Sequence, residues 1–245
     1  MAGLIMPWSA GMLGGATSGI SFVGSMLYSQ SYYSAATFFD ISLTGGSDST
    51  PAAGDIIIVS VSSADTVTFT TGMQGNQQGA FNVVTHQYVN DTYDTNLDVL
   101  WGVCGATPDT QLKLSYSTSG GKGGASTIHV FRGVDPTTPF ALTTTDTRSN
   151  TVLADPISLD ASAYTGAWVY ASGAGAYSGS AATYSSSDLT GFISTSYLSA
   201  EDSVVGAGYV EGPGLGVVNP AEFTFSASNS SQYSCAAFTG VLKPA

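Results

Sequence analysis

Positive charge is nearly missing from this sequence. Of 245 residues, five are Lys or Arg: Lys113, Lys122, Arg132, Arg148 and Lys243. They are scattered, whereas a nucleic-acid surface needs clustered Lys and Arg to displace counterions. No nucleic-acid partner is therefore expected. Charge of either sign is sparse: 9% of residues, against about a quarter in ordinary globular chains. Long surface helices need Glu, Lys and Arg, so they are not expected either. Ser, Thr, Gly and Ala fill the space instead, which favours strands with hydroxylated faces and Gly-rich turns. The net charge of −12 is compatible with solubility.

Cysteine and histidine are also scarce. Cys104 and Cys235 each lie inside an apolar, strand-like run, where a free thiol acts as a small hydrophobe. A single disulfide between them stays open. No Cys-x-x-Cys or Cys/His cluster points to zinc, so no metal and no cofactor are expected. His86 and His129 lie outside any nucleophile motif and read as strand residues, with His129 facing away from Ile128 and Val130.

The first 39 residues lack charge altogether; Asp40 is the first charged side chain. A secretory signal needs a basic start, and none is present. A membrane span needs about twenty mainly apolar residues, and Pro7, Gly11, Gly14, Gly15 and Gly19 interrupt this one. No stable membrane span is expected. Such a segment is a liability in water. Residues 1–37 are therefore read as an arm that packs on a partner subunit, with folding back on its own domain as the alternative. Trp8, Met12, Phe22, Tyr28, Tyr32 and Tyr33 are its candidate contact residues.

What is present reads as strands. Ile56 to Val61 is an aliphatic run, interrupted only by Ser60, after Pro51 and Gly54. Leu97, Val99, Trp101 and Val103 alternate with Asp98, Leu100, Gly102 and Cys104, which gives one strongly apolar face. No stretch keeps a 3.6-residue period. The order then repeats. Ile41–Leu43 answers Ile157–Leu159, the strand after Gly54 answers the strand after Gly166, and Val130–Val134 answers Ala237–Val241. The fold class expected is all-β: an antiparallel two-sheet sandwich, jelly-roll-like in its connections, with an internal duplication and an extended N-terminal arm. The sandwich covers residues 38–245, with related halves at about 41–134 and 157–241.

Three features in order carry a resemblance: Gly54-Asp55 followed by an aliphatic strand, the Trp-bearing strand at Leu100-Trp101, and the segment Phe131-Arg132-Gly133-Val134-Asp135-Pro136-Thr137-Thr138-Pro139. Together they resemble a group of sandwich domains common in bacteriophage tail and virion proteins and in some bacterial surface proteins. The resemblance spans roughly residues 38–245 and is most specific in the Phe-Arg-Gly-Val-Asp-Pro segment. It implies a structural or binding role and no catalytic residues. Tail-fibre members often append the domain to a longer shaft, whereas here it fills nearly the whole chain. The function expected is therefore a virion structural protein, a capsid decoration, cement or head-fibre subunit. Its partners would be other virion proteins and copies of itself, in a symmetric homo-oligomer such as a trimer. Its place would be the virion, assembled in the bacterial cytoplasm. The alternative is a tail-associated receptor- or carbohydrate-binding module for host attachment.

Within that segment, Arg132 is read as structural. It would pair with Asp135 or another acidic neighbour where the chain leaves a strand, with Pro136 and Pro139 stiffening the crossing. Asp91, Asp94 and Asp98, with Asn90 and Asn96, form an acidic loop without the pattern of a calcium-binding hand, and read as a solvated hairpin tip. Glu201, Asp202, Glu211 and Glu222 are the loosest candidates for a paired-carboxylate hydrolase. The 13 tyrosines, among them Tyr164, Tyr170, Tyr177 and Tyr184, suit contact surfaces and leave a glycan ligand open.

Overall fold

Isoleucine after isoleucine from Ile56 onward suits a strand covered on both faces, because neither face then needs polar residues. The computed structural model describes residues 19–30, 37–64, 71–116, 124–198, 202–212, 214, 216–230 and 232–245. Among them there is no helix. The first nine strands are β1 (Ser21–Gln30), β2 (Phe38–Asp40), β3 (Ile56–Ala64), β4 (Thr71–Gly75), β5 (Gly79–Ala80), β6 (Asn82–Val89), β7 (Thr95–Val103), β8 (Gln111–Tyr116) and β9 (Gly124–Arg132). The second nine are β10 (Phe140–Ser149), β11 (Leu159–Asp160), β12 (Trp168–Tyr177), β13 (Tyr184–Ser185), β14 (Thr190–Tyr197), β15 (Asp202–Val210), β16 (Val217–Val218), β17 (Thr224–Phe225) and β18 (Ser234–Leu242).

Among the described residues all pairings are antiparallel, and the strands form five sheets rather than the two expected. Two have five strands, ordered β1-β9-β3-β7-β6 and β10-β18-β12-β15-β14. Ranked by chain order within its own sheet, each reads first-fifth-second-fourth-third. These large sheets pack on each other: β3 lies against β12 and β15, and β9 against β14. Ile56, Ile58, Leu97, Val99 and Phe131 from the first sheet meet Trp168, Tyr170, Tyr209, Phe238 and Leu242 from the second.

The opposite faces are covered by small sheets. Ile57, Val59, Val61 and Leu100 pack on Met73, Leu112 and Leu114 of the β2-β8-β4-β5 sheet. Ala171, Val204 and Ala237 pack on Tyr184 and Phe225 of the β13-β17 pair, and Val169 and Val241 pack beside the β11-β16 pair. Four layers result. The central strands β3, β12 and β18 are buried along their whole length. That explains their composition: a strand between two layers cannot carry charge, and Gly, Ala and Ser leave room for rings from the next layer. A Cβ on Gly173 would stand 2.5 Å from the Cβ of Ala154 and 3.0 Å from the Phe223 ring.

The likeness of the halves extends to irregularities. β1 has a bulge between Phe22 and Gly24, and β10 between Phe140 and Leu142. β6 has one between Val83 and Thr85, and β14 between Thr190 and Ile193. Gly54 (φ 86°) and Gly166 (φ 76°) make the same left-handed step before β3 and β12. The register gives a pairing that differs from the one read in sequence. Ile56 faces Phe131, and Trp168 faces Leu242, so Phe131 corresponds to Leu242 rather than to Phe238. The matching strand order runs from β1 to β9 and from β10 to β18. Residues 21–30, read as the end of an arm, are an edge strand of the first large sheet.

Candidate binding cleft at the crossing between the halves

The chain passes from the first half to the second through residues 133–139, and two charge pairs, at Arg132 and Asp135, hold the start of this crossing. Arg132 ends β9. Its Nε and Nη2 donate to Asp55 Oδ1 and Oδ2 at 2.8 and 3.0 Å, and its Nη1 lies 3.2 Å from Asp48 Oδ2. Asp55 is fully buried and also accepts the Ala52 N–H at 2.7 Å. Of the neighbours open to Arg132 in sequence, it takes Asp55 and Asp48, which fastens the end of β9 to the entry of β3.

Asp135 has a different task. It accepts Lys243 Nζ at 2.6 Å and the N–H groups of Thr137 and Thr138 at 2.8 and 3.1 Å. The Lys243 hydrogen bond, then those two N–H groups, hold its carboxyl well below the usual range. Pro136 is exposed at the bend. The last residues run alongside: Asp135 N donates to Lys243 O, Lys243 N to Pro139 O, and Ala245 N to Gly133 O, each at 2.9 Å. The crossing is thus fixed by backbone and side chain together.

Beside it lies a cleft of about 310 Å³. β6 and β7 contribute Val84 and Trp101; the crossing contributes Thr137, Thr138 and Pro139; β10 contributes Phe140 and Thr143. Among the described residues, no lining side chain is charged. Trp101 is half-buried, and Pro139 is buried. A second cleft of about 500 Å³ is lined by Gly19, Ile20, Thr165, Trp168 and Glu211.

The other candidates are placed as follows. Phe22 is half-buried inside the chain's own ring cluster, 5.0 Å from Tyr209 and 5.8 Å from Phe131 between centroids. Tyr28 stacks on Phe39 at 3.6 Å and donates to Gln30 Oε1 at 2.9 Å. Trp8, Met12, Tyr32 and Tyr33 lie outside the described residues, as does Glu201. Asp202 accepts the Gly179 N–H, and Glu222 pairs with Arg148, which also holds Asp146 and Asp155. In the acidic loop, Asp94 accepts the Tyr88 hydroxyl and the Asp91 N–H, and Asp91 accepts the N–H groups of Thr92 and Asn150. Among the described residues, no three His, Cys, Asp or Glu side chains converge as metal donors.

Cys104 and Cys235 are free and buried, each in a different one of the cores between a large sheet and its covering layer. Burial pushes their thiols up to about 11 and about 12. His86 Nδ1 lies 2.7 Å from Asp98 Oδ1, a hydrogen bond that raises the histidine's pKa. His129 is fully buried between the large sheets, with Nε2 3.1 Å from Gly191 O, and burial lowers its pKa to about 4. Sequence reasoning missed the pairing of His86 with Asp98, because it depends on the register of β6 against β7. Comparison with models of protein families, with curated proteins and with solved structures finds no match to this chain.

Proposed function

We propose that this chain is a structural subunit of a bacteriophage particle, of the capsid-decoration, cement or head-fibre kind. The observation that carries the reading is the position of β1. The uncharged leader runs into an edge strand of the first large sheet, paired with β9 along its length. A contact made by the leader is thereby coupled to the whole four-layer block, as an anchored shell or fibre subunit requires. The Phe-Arg-Gly-Val-Asp-Pro resemblance supports the same reading, and the domain is taken as a jelly-roll-like sandwich whose two halves are copies of an internal duplication. The partners are capsid or tail subunits and further copies of this chain, in a symmetric oligomer such as a trimer, assembled in the bacterial cytoplasm.

The test is a deletion that stops short of β1. Removal of residues 1–18 leaves a folded protein, judged by an unchanged thermal transition, that no longer joins particles. Quantitative mass spectrometry of purified particles reads the copy number. Normal incorporation of the truncated protein overturns the proposal.

A further inference from the structure

We infer that the cleft at Trp101 binds a neutral saccharide ring. This goes beyond the particle-assembly reading and does not depend on it. Four observations converge.

The first is the state of Trp101. Its indole is half-buried, makes no ring contact, and its N–H donates to no protein group among the described residues. A half-covered indole offers an apolar face for the C–H side of a sugar and a free donor at its edge. The second is the mixture around it. Val84, Pro139 and Phe140 supply apolar surface, while the hydroxyls of Thr137 and Thr143 have no protein partner among the described residues. A few polar groups on an apolar surface suit a ligand that is itself apolar on one face and hydroxylated at its rim.

The third is the absence of charge among the described lining residues. An anionic ligand would lose hydration there without an ion-pair partner, which selects neutral ligands. The one carboxylate at the crossing, Asp135, is committed to Lys243 and to the backbone of Thr137 and Thr138. That clamp also fixes the threonines before any ligand arrives, so little ordering cost remains.

The fourth is the contrast between the halves. Trp101 pairs with Ile58, four residues after Gly54; Tyr209 pairs with Tyr170, four residues after Gly166. Tyr209 is thus the equivalent of Trp101. Its surroundings are filled by rings, Trp168 stacked at 5.0 Å and Phe22 at 5.0 Å. The fold can close this position, and it is left open at Trp101. The volume, about 310 Å³, is at the small end for ligand clefts and accommodates one ring rather than a long chain.

The experiment titrates the full chain with methyl α-D-glucopyranoside, methyl β-D-galactopyranoside and N-acetylglucosamine, following the indole N–H resonances by NMR, with sialic acid as the charged probe. At least one neutral sugar is expected to shift the Trp101 resonance saturably with millimolar affinity, and sialic acid is not. Trp101→Ala should abolish the binding, and Thr143→Val, on an exposed edge position, should weaken it about tenfold with an unchanged thermal transition. No saturable shift from any neutral sugar up to about 50 mM, binding that leaves the Trp101 resonance unmoved, or preference for sialic acid each overturns the inference.

Discussion

Ser60 and Tyr170 meet between the two large sheets, with their hydroxyl oxygens 2.9 Å apart and both side chains fully buried. They sit on the middle strands β3 and β12, one from each half. Ile58 and Phe131 on one side, and Phe238 and Trp168 on the other, exclude water around them. A lone hydroxyl there would be costly, so each makes the other tolerable. The bond is a register mark: it forms only if the halves are stacked as observed.

Tyr170→Phe therefore removes one partner and strands the Ser60 hydroxyl. The expected loss is about 1–2 kcal/mol of unfolding free energy. Adding Ser60→Ala should recover part of it, so the double variant costs less than the sum of the single ones. Urea denaturation of the four proteins checks this, and strict additivity would count against a direct bond.

His129 makes the protein acid-sensitive. Its folded pKa, about 4, lies below the ordinary 6.5 because burial disfavours the cation. Between those values the unfolded chain takes up a proton that the folded one refuses. Stability from this group is full above about pH 6.5 and falls towards pH 4, by on the order of 3 kcal/mol. His86 has the opposite sign: its pKa is raised by Asp98, so its contribution is present below 6.5 and fades as pH rises through the folded value. Unfolding free energies measured from pH 7 to pH 4 should fall less for His129→Gln than for the parent.

Arg132→Ala leaves Asp55 buried without its cation. Breaking a fully buried pair costs about 3–5 kcal/mol, and here the half-exposed guanidinium reduces this to about 2 kcal/mol. Arg132→Lys, which lacks the two-pronged geometry, should fall between parent and alanine. Chemical denaturation midpoints order the three proteins.

Gly173→Ala tests the close stacking of the outer layer. The new methyl meets Ala154 and Phe223, so a loss of about 1–3 kcal/mol is expected. Gly216→Ala meets nothing within 4 Å and should change stability by less than about 0.5 kcal/mol. Equal thermal shifts for the two would contradict the packing.

Much of this architecture is legible in the residues, because strand periodicity and turn glycines are local signals. Ile56–Val61 and the alternation from Leu97 to Val103 mark strands that the structure contains. The repeated order is legible too, but its register is not. Matching Phe131 with Phe238 follows residue identity, whereas strand register puts Phe131 opposite Ile56 and Leu242 opposite Trp168, so Phe131 stands where Leu242 does. β1 reads as an arm because nothing in Ser21–Gln30 is charged, and it is uncharged because it is half-covered by the sheet. The partners of Arg132 and the cleft at Trp101 depend on β3, β6 and the crossing coming together from distant stretches, which no local pattern encodes.

Native-state hydrogen exchange measures most directly whether the two halves form one cooperative block. The seam described here requires the amides of β3 and β9 and those of β12 and β18 to share the slowest exchange, and Tyr170→Phe to accelerate both groups by the same factor. Exchange of one half at a lower free energy, with the other unaffected by the substitution, would contradict it.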